Sequence, residues 1–163
     1  MGGRKNRIKV IGTAAILAFA ISGTLYAGEW KQEDGSWYYE EGQLKVTGWQ
    51  QISDTWYYFE QDGKMAAGWI RESGVWYYLD ETSGAWIEKP AINKVSACHL
   101  LENAINKAGL YQNEDYPLMY EVETETSDYV KVRIQTEELP ERYKTINSYE
   151  VSRKTGIARA TVG

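Results

Sequence analysis

The sequence predicts a solenoid of three stacked β-hairpins followed by a small α+β domain of one helix and antiparallel strands. Three observations predict it. First, one short pattern is written three times within residues 28–88: Gly28-Glu29-Trp30 to Gly42, Gly48-Trp49 to Gly63, and Gly68-Trp69 to Gly84. Second, Trp30, Trp49 and Trp69 step by 19 and then 20, and Trp37, Trp56 and Trp76 step identically, 7 residues later in each copy. A fixed period near 20 residues marks a repeat array. Third, all 7 tryptophans lie in this stretch, counting Trp86, and the pattern of residues 89–163 is different in kind.

Each copy carries a Trp-Tyr-Tyr run, at residues 37–39, 56–58 and 76–78. Aromatic residues suit a pleated, half-buried surface, so each run is a strand. Ahead of each lies a turn: Glu33-Asp34-Gly35-Ser36, Ile52-Ser53-Asp54-Thr55 and Glu72-Ser73-Gly74-Val75. Gly supplies positive φ there, and Asp and Ser supply local hydrogen bonds. Each copy therefore reads as a hairpin. A lone hairpin is marginal in water, and stacking hairpins as a solenoid buries their aromatic faces. Alternation sends Trp56 and Tyr58 to one face and Tyr57 and Phe59 to the other, and likewise Trp76 and Tyr78 against Tyr77 and Leu79. One set fills the stack. The other is a surplus aromatic wall, which points to a ligand site at the seams between hairpins. Trp86 stands in Gly84-Ala85-Trp86 where the second copy has Gly63-Lys64-Met65, and no further Trp-Tyr-Tyr follows. The array ends there, and Trp86 reads as its cap.

Beyond Glu88-Lys89-Pro90 the composition changes, which marks a domain boundary. Pro90 opens a helix. Ile92, Val95, Cys98, Leu101, Ile105 and Ala108 recur at helical spacing, and Gly109 stops the pattern. Strand-like runs follow at 118–124, 129–135, 143–152 and 157–162, with turns at Thr126-Ser127-Asp128 and Lys154-Thr155-Gly156. Glu121, Glu123 and Glu125 have strand spacing, which puts them on one solvent-facing row that Lys131 and Arg133 can pair across strands.

Residues 1–27 read as a signal peptide: Arg4, Lys5, Arg7 and Lys9, then an apolar run from Val10 to Leu25, then small residues ending at Ala27. Cleavage falls after Ala27 or after Ala20; an uncleaved anchor is the rival, with a span marginal for a bilayer. The membrane is thus a partner only through this segment. The C-terminus shows neither a sortase-type motif nor a hydrophobic tail, so an exported protein would be held at the cell surface non-covalently. Net charge is +4 over residues 1–27, −8 over 28–88 and −1 over 89–163. An acidic repeat region excludes nucleic acid, whose phosphates need a basic footprint, and suits a cationic ligand.

The stretch Gly48-Trp49 through Trp56-Tyr57-Tyr58-Phe59 to Gly63-Lys64-Met65 resembles a repeat of the choline-binding, cell-wall-binding family of Gram-positive surface proteins. The third copy is similar. The first departs from it, with Glu29 splitting the Gly-Trp pair and Leu44 where the second copy has Met65. The resemblance covers residues 28–88 and implies a superhelix of hairpins holding choline between neighbouring repeats. Its partner would be the choline of teichoic or lipoteichoic acid. By the family's pattern a seam takes two tryptophans of one repeat, a tyrosine of the next Trp-Tyr-Tyr, and a Met. That implies a better site of Trp49, Trp56, Met65 and Tyr77, or Tyr78 if the pleat is reversed. It implies a poorer one of Trp30, Trp37, Leu44 and Tyr57, with Tyr58 as the pleat alternative. Trp69 and Trp76 would form an incomplete pair. The chemistry agrees: a quaternary ammonium has no N–H to donate and is held by ring faces, at about 0.5–2 kcal/mol per ring. Sugar rings also stack on Trp and Tyr, so a glucan-binding module is the alternative.

Cys98 and His99 are the chain's only Cys and His, and adjacent helical positions point about 100° apart. They make no nucleophile–base pair, and no metal set can be completed around them. Neither a phosphate-binding loop nor a dinucleotide fingerprint is present. The expectation is a binding module without cofactor, displaying a small domain of unassigned role rather than an enzyme. The ending Tyr149 to Ile157 is faintly similar to the last hairpin of PepSY-like or cystatin-like domains. N-terminal sequencing of exported protein is expected to begin near Gly28, or near Ile21 for the earlier site; an intact Met1 in membrane-bound material would reverse this reading.

Overall fold

The computed structural model describes residues 7–9 and 28–161. In chain order these form β1 (Arg7–Lys9), β2 (Glu29–Glu33), β3 (Ser36–Glu41), β4 (Leu44–Lys45), β5 (Gly48–Ile52), β6 (Thr55–Phe59), β7 (Gly68–Glu72), β8 (Val75–Leu79), β9 (Trp86–Ile87), α1 (Lys94–Ala108), β10 (Met119–Glu125), β11 (Tyr129–Leu139), β12 (Arg142–Ser152) and β13 (Ile157–Ala160). The architecture is mostly β-hairpin sheets with one helix. Of the described residues, 28–88 form one compact unit, and 7–9 with 89–161 form the other. No helix among the described residues is long and apolar enough to cross a membrane.

In the first unit, β2-β3-β4, β5-β6 and β7-β8-β9 are three separate antiparallel sheets. Each hairpin turns on two residues with positive φ: Asp34 and Gly35 (49° and 78°), Ser53 and Asp54 (47° and 64°), Ser73 and Gly74 (50° and 79°). Two such residues make a type I′ turn, whose twist matches that of the flanking strands. The turn fixes the register. Trp30 lies opposite Tyr39, Trp49 opposite Tyr58 and Trp69 opposite Tyr78. The first tryptophan, the second tryptophan and the last tyrosine of each copy therefore share one face. The middle tyrosine takes the other face, with Phe59 and Leu79, which are fully buried.

In the second unit, β1-β13-β12-β11-β10 form one sheet. The alternation along β11 puts Val130, Val132, Ile134 and Thr136 on the buried face. Leu101 and Ile105 of α1 are also fully buried, as are Tyr149, Val151 and Ala158 of the sheet. The helix starts at an Asn93 cap rather than at Pro90: the Asn93 side chain accepts from the Val95 and Ser96 backbones, and the Ser96 hydroxyl accepts from the Asn93 backbone. This reciprocal capping box satisfies donors that a helix start leaves orphaned. Gly109 closes the other end in the left-handed conformation, as expected. The buried face is Ala97, Leu100, Leu101, Ala104 and Ile105, rotated from the expected stripe, so Val95 is 53% exposed.

Two further differences from expectation concern charge. Glu121, Glu123 and Glu125 do not form one row, because a bulge between Val122 and Thr124 breaks the alternation. Glu121 and Glu123 converge on Arg133, Glu123 also meets Lys131 at 3.0 Å, and Glu125 reaches Lys94 and Arg153. Arg7 and Lys9, read above as part of the basic start, lie in β1, which pairs with β13. The rest of the proposed signal segment, with both cleavage sites, lies outside the described residues.

The Lys131 and Arg133 hydrogen bonds hold the Glu123 carboxyl below its ordinary range. A depressed carboxylate contributes stability above its unfolded pKa, about 4.3, and loses it as pH falls through the folded value. Glu123→Gln is expected to cost on the order of 1 kcal/mol at neutral pH. In urea titrations at stepped pH, its difference from wild type should vanish on acidification; a pH-independent difference would remove the ion pairs as its cause.

Candidate functional site between stacked hairpins

The site follows from the alternation. The tryptophan face of one hairpin meets the middle-tyrosine face of the next. Trp30 packs on Tyr57 with ring centroids 5.0 Å apart and planes at 73°, and on Phe59 at 5.9 Å. Trp49 packs on Tyr77 at 4.9 Å and 68°. Within the first hairpin, Trp30 and Trp37 stand 6.3 Å apart and nearly perpendicular, at 86°. Trp30, Trp37 and Tyr57 are thus brought together, with Trp37 still 40% exposed.

Met65 lies against Trp37 of this group. Its backbone N–H donates to the Trp37 carbonyl at 2.8 Å. A cavity of about 380 Å³ is lined by Trp37 and Met65, by Gly35 and Ser36 of the first turn, by Glu60 and Lys64, and by Glu81 and Thr82 of the third copy. Met65 therefore sits beside Trp37, whereas the sequence reading placed it with Trp49, Trp56 and Tyr77.

Leu44 does not take the Met position in the first copy; it is 76% exposed. The register assigns that position to Lys45. Lys45 pairs with Glu40 as Met65 pairs with Phe59 and as Trp86 pairs with Leu79. The reason is loop length. Leu44 closes on Glu41 across two residues, Lys64 on Glu60 across three, and Ala85 on Asp80 across four. Counting from the glycine therefore misplaces the slot. In the third copy the slot belongs to Trp86 of β9, a strand that runs beside β6.

The pleat also separates the tyrosine alternatives. Tyr77 lies across the seam from Trp49, while Tyr78 packs on Trp69 of its own hairpin at 5.2 Å. Tyr58 likewise packs on Trp49 of its own hairpin at 5.3 Å, and its hydroxyl donates to Glu72 at 2.9 Å. Burial, then Glu72, pushes the Tyr58 pKa up. Trp76 of the third copy lies under the Arg71 guanidinium, 5.7 Å from the ring centroid. The sequence reading named Trp86 only as a cap and did not single out Lys45, Glu60 or Glu81. The spacing of Lys45 from Trp37 was the available signal, once loop length is allowed to vary.

Elsewhere, Cys98 is half-buried, and burial followed by the Glu102 charge pushes its thiol up to about 11. It stays protonated at neutral pH and is a poor nucleophile. Among the described residues no group of three or more His, Cys, Asp or Glu could hold a metal ion.

Gly84 lies directly over Met65: a Cβ there would come within 2.5 Å of the Met65 sulfur, at a φ of +71°. Gly35 has a similar φ, +78°, with nothing within 4 Å. The left-handed backbone costs about 1–2 kcal/mol for a residue with a Cβ. Gly35→Ala should lose only that in a denaturant titration. Gly84→Ala should lose more, through displacement of Met65; equal losses would show that the glycine does not set the Met65 position.

The choline-binding repeat family matches residues 46–89, and the cell wall binding repeat family matches residues 28–39. No curated protein matches the chain. The choline binding domain of Spr1274 from Streptococcus pneumoniae is 38% identical over 36% of this chain and 80% of its own length, with a TM-score of 0.34. Choline binding protein F from the same organism, solved with a peptidoglycan analogue, is 36% identical over 37% of this chain, with a TM-score of 0.35. This chain spans only 21% of that protein. Alternansucrase in complex with isomaltononaose is 15% identical over 80% of this chain and 10% of its own length, with a TM-score of 0.38. Superpositions at such scores add no weight; the matched repeats do. Over residues 28–88 the chain belongs to the choline-binding, cell-wall-binding repeat family.

Proposed function

We propose that residues 28–88 stack as a solenoid and bind the choline of teichoic or lipoteichoic acid at two seams, holding the protein on the cell wall after export. The first seam is Trp30, Trp37, Tyr57 and Met65. The second is Trp49, Trp56 and Tyr77, with Trp86 in the thioether's place; in this reading Trp86 is a box wall as well as an end cap. The observation that carries the proposal is the mutual orientation of Trp30, Trp37 and Tyr57, whose planes stand at 86° and 73° to the first of them. Rings set edge to face enclose a compact cation from several sides. A pyranose stacks on one broad, open ring, so the same orientation counts against glucan as the primary ligand.

Three rings and a thioether supply about 2–6 kcal/mol before the costs of binding, so a single seam holds choline weakly, near the millimolar range at about 4 kcal/mol. A polymer bearing many cholines gains from effective concentration when both seams engage it. The chain's second unit would be the cargo so displayed, and the function is attachment rather than catalysis.

Trp37 is the ring to remove, because its exposure leaves the stack of Trp30 on Tyr57 in place. Trp37→Ala is expected to weaken choline binding five- to thirty-fold, about 1–2 kcal/mol, with little change in melting temperature. Calorimetric titration with choline and, separately, with a soluble glucan checks it. Full choline affinity in the folded variant, or heat only from the glucan, would discard this assignment.

A further inference from the structure

Residues 28–88 hold four basic residues, Lys31, Lys45, Lys64 and Arg71, and two of them lie on aromatic rings. The Lys45 ammonium sits 3.5 Å from the centroid of Tyr38 and 2.6 Å from the Glu33 carboxylate. The Arg71 guanidinium sits over Trp76. Both rings belong to the ends of the stack. Tyr38 is the first copy's middle tyrosine, the counterpart of Tyr57 and Tyr77, and no tryptophan precedes Trp30 to pack on it. Trp76 is the second tryptophan of the last copy, which no further Trp-Tyr-Tyr follows.

Register shows that these cations replace neutral residues. Lys45 occupies the slot held by Met65 and Trp86 in the later copies. Arg71 lies opposite Trp76 where Gln32 lies opposite Trp37 and Gln51 opposite Trp56. Tyr38 is 7% exposed, against the half-buried Tyr57 and Tyr77. Hydrogen bonding to Glu33 raises the Lys45 pKa, so the ammonium is held in its charged form.

We propose that Tyr38 with Glu33 is a third aromatic cation position whose ligand is the chain's own Lys45. A primary ammonium suits the first position as a quaternary one does not, because it donates to Glu33 while its charge meets the ring. The Tyr38 position is thereby closed to exogenous cations.

The test is nuclear magnetic resonance of the full chain with labelled lysine, tyrosine and tryptophan, titrated with tetramethylammonium. The Lys45 ε-methylene protons are expected upfield of the other lysines from the Tyr38 ring current. On titration the Tyr57 and Tyr77 ring signals should move and Tyr38 should not. In Lys45→Met the Tyr38 signals should begin to respond. Ordinary Lys45 ε-proton shifts, or a wild-type Tyr38 that responds as Tyr57 does, overturns the proposal, as does a folded Lys45→Met whose Tyr38 stays unresponsive. The titration rests on the box reading above; the ring-current shift does not. A shifted Lys45 with silent Tyr57 and Tyr77 would therefore remove the boxes and leave the internal ligand standing.

Discussion

The contact between the tryptophan face of one hairpin and the tyrosine face of the next is the constraint on which the repeat unit depends. Each hairpin is a sheet of two or three short strands, too little to be stable alone. Trp30 against Tyr57 and Phe59, and Trp49 against Tyr77, supply the missing burial. Edge-to-face pairs of this kind add about 0.5–1.5 kcal/mol each beyond the area they bury. In an edge-to-face pair one ring gives its edge and the other a face, so each pair covers one ring face and leaves the opposite one. In the proposed reading, stability and binding draw on the same side chains in unequal shares: Trp30 touches four other rings, while Trp37 is more exposed.

Much of this was legible because the period of a strand is short and the turns are strict. Asp34-Gly35 and Ser73-Gly74 name a two-residue turn outright, and the turn fixes the register that puts Trp30 beside Tyr39. What failed was counting across loops of unequal length. Leu44 seemed to match Met65 because both follow a glycine by two residues, but hydrogen-bond register matches Met65 with Lys45. Partner assignment across seams failed for a related reason. A linking segment leaves its own hairpin and lies along the preceding one, so Met65 binds the Trp37 carbonyl. Spacing along the chain carries no trace of that return.

In the second unit the helix and the four strands of the meander were legible, and the details that depend on packing were not. The apolar stripe through Val95 and Cys98 was one of two that the sequence offers. The sheet selects the other, through Ala97, Leu101 and Ile105, which lie at 0% exposure. A bulge has no signature in a row of alternating glutamates, so Glu125 could not be foreseen as the partner of Lys94 and Arg153. The pairing of β1 with β13 joins the two ends of the chain, a contact that no local pattern encodes.

Charge and aromaticity divide the work of recognition. Residues 28–88 carry 12 acidic and 4 basic groups, and among the acidic ones Glu60 and Glu81 line the cavity beside Trp37 and Met65. Carboxylates attract any cation, and their pull is screened over about 8–10 Å at ordinary salt. They gather positive charge without choosing among its forms. A small ion or a lysine keeps its water or gains hydrogen bonds at a carboxylate. A quaternary ammonium can do neither well, and it gains most from ring faces that displace water from its methyl groups. Tyr38 with a carboxylate at hand holds a primary ammonium, whereas the proposed seam boxes, joined by a thioether in one and a further ring in the other, would suit a cation that donates nothing.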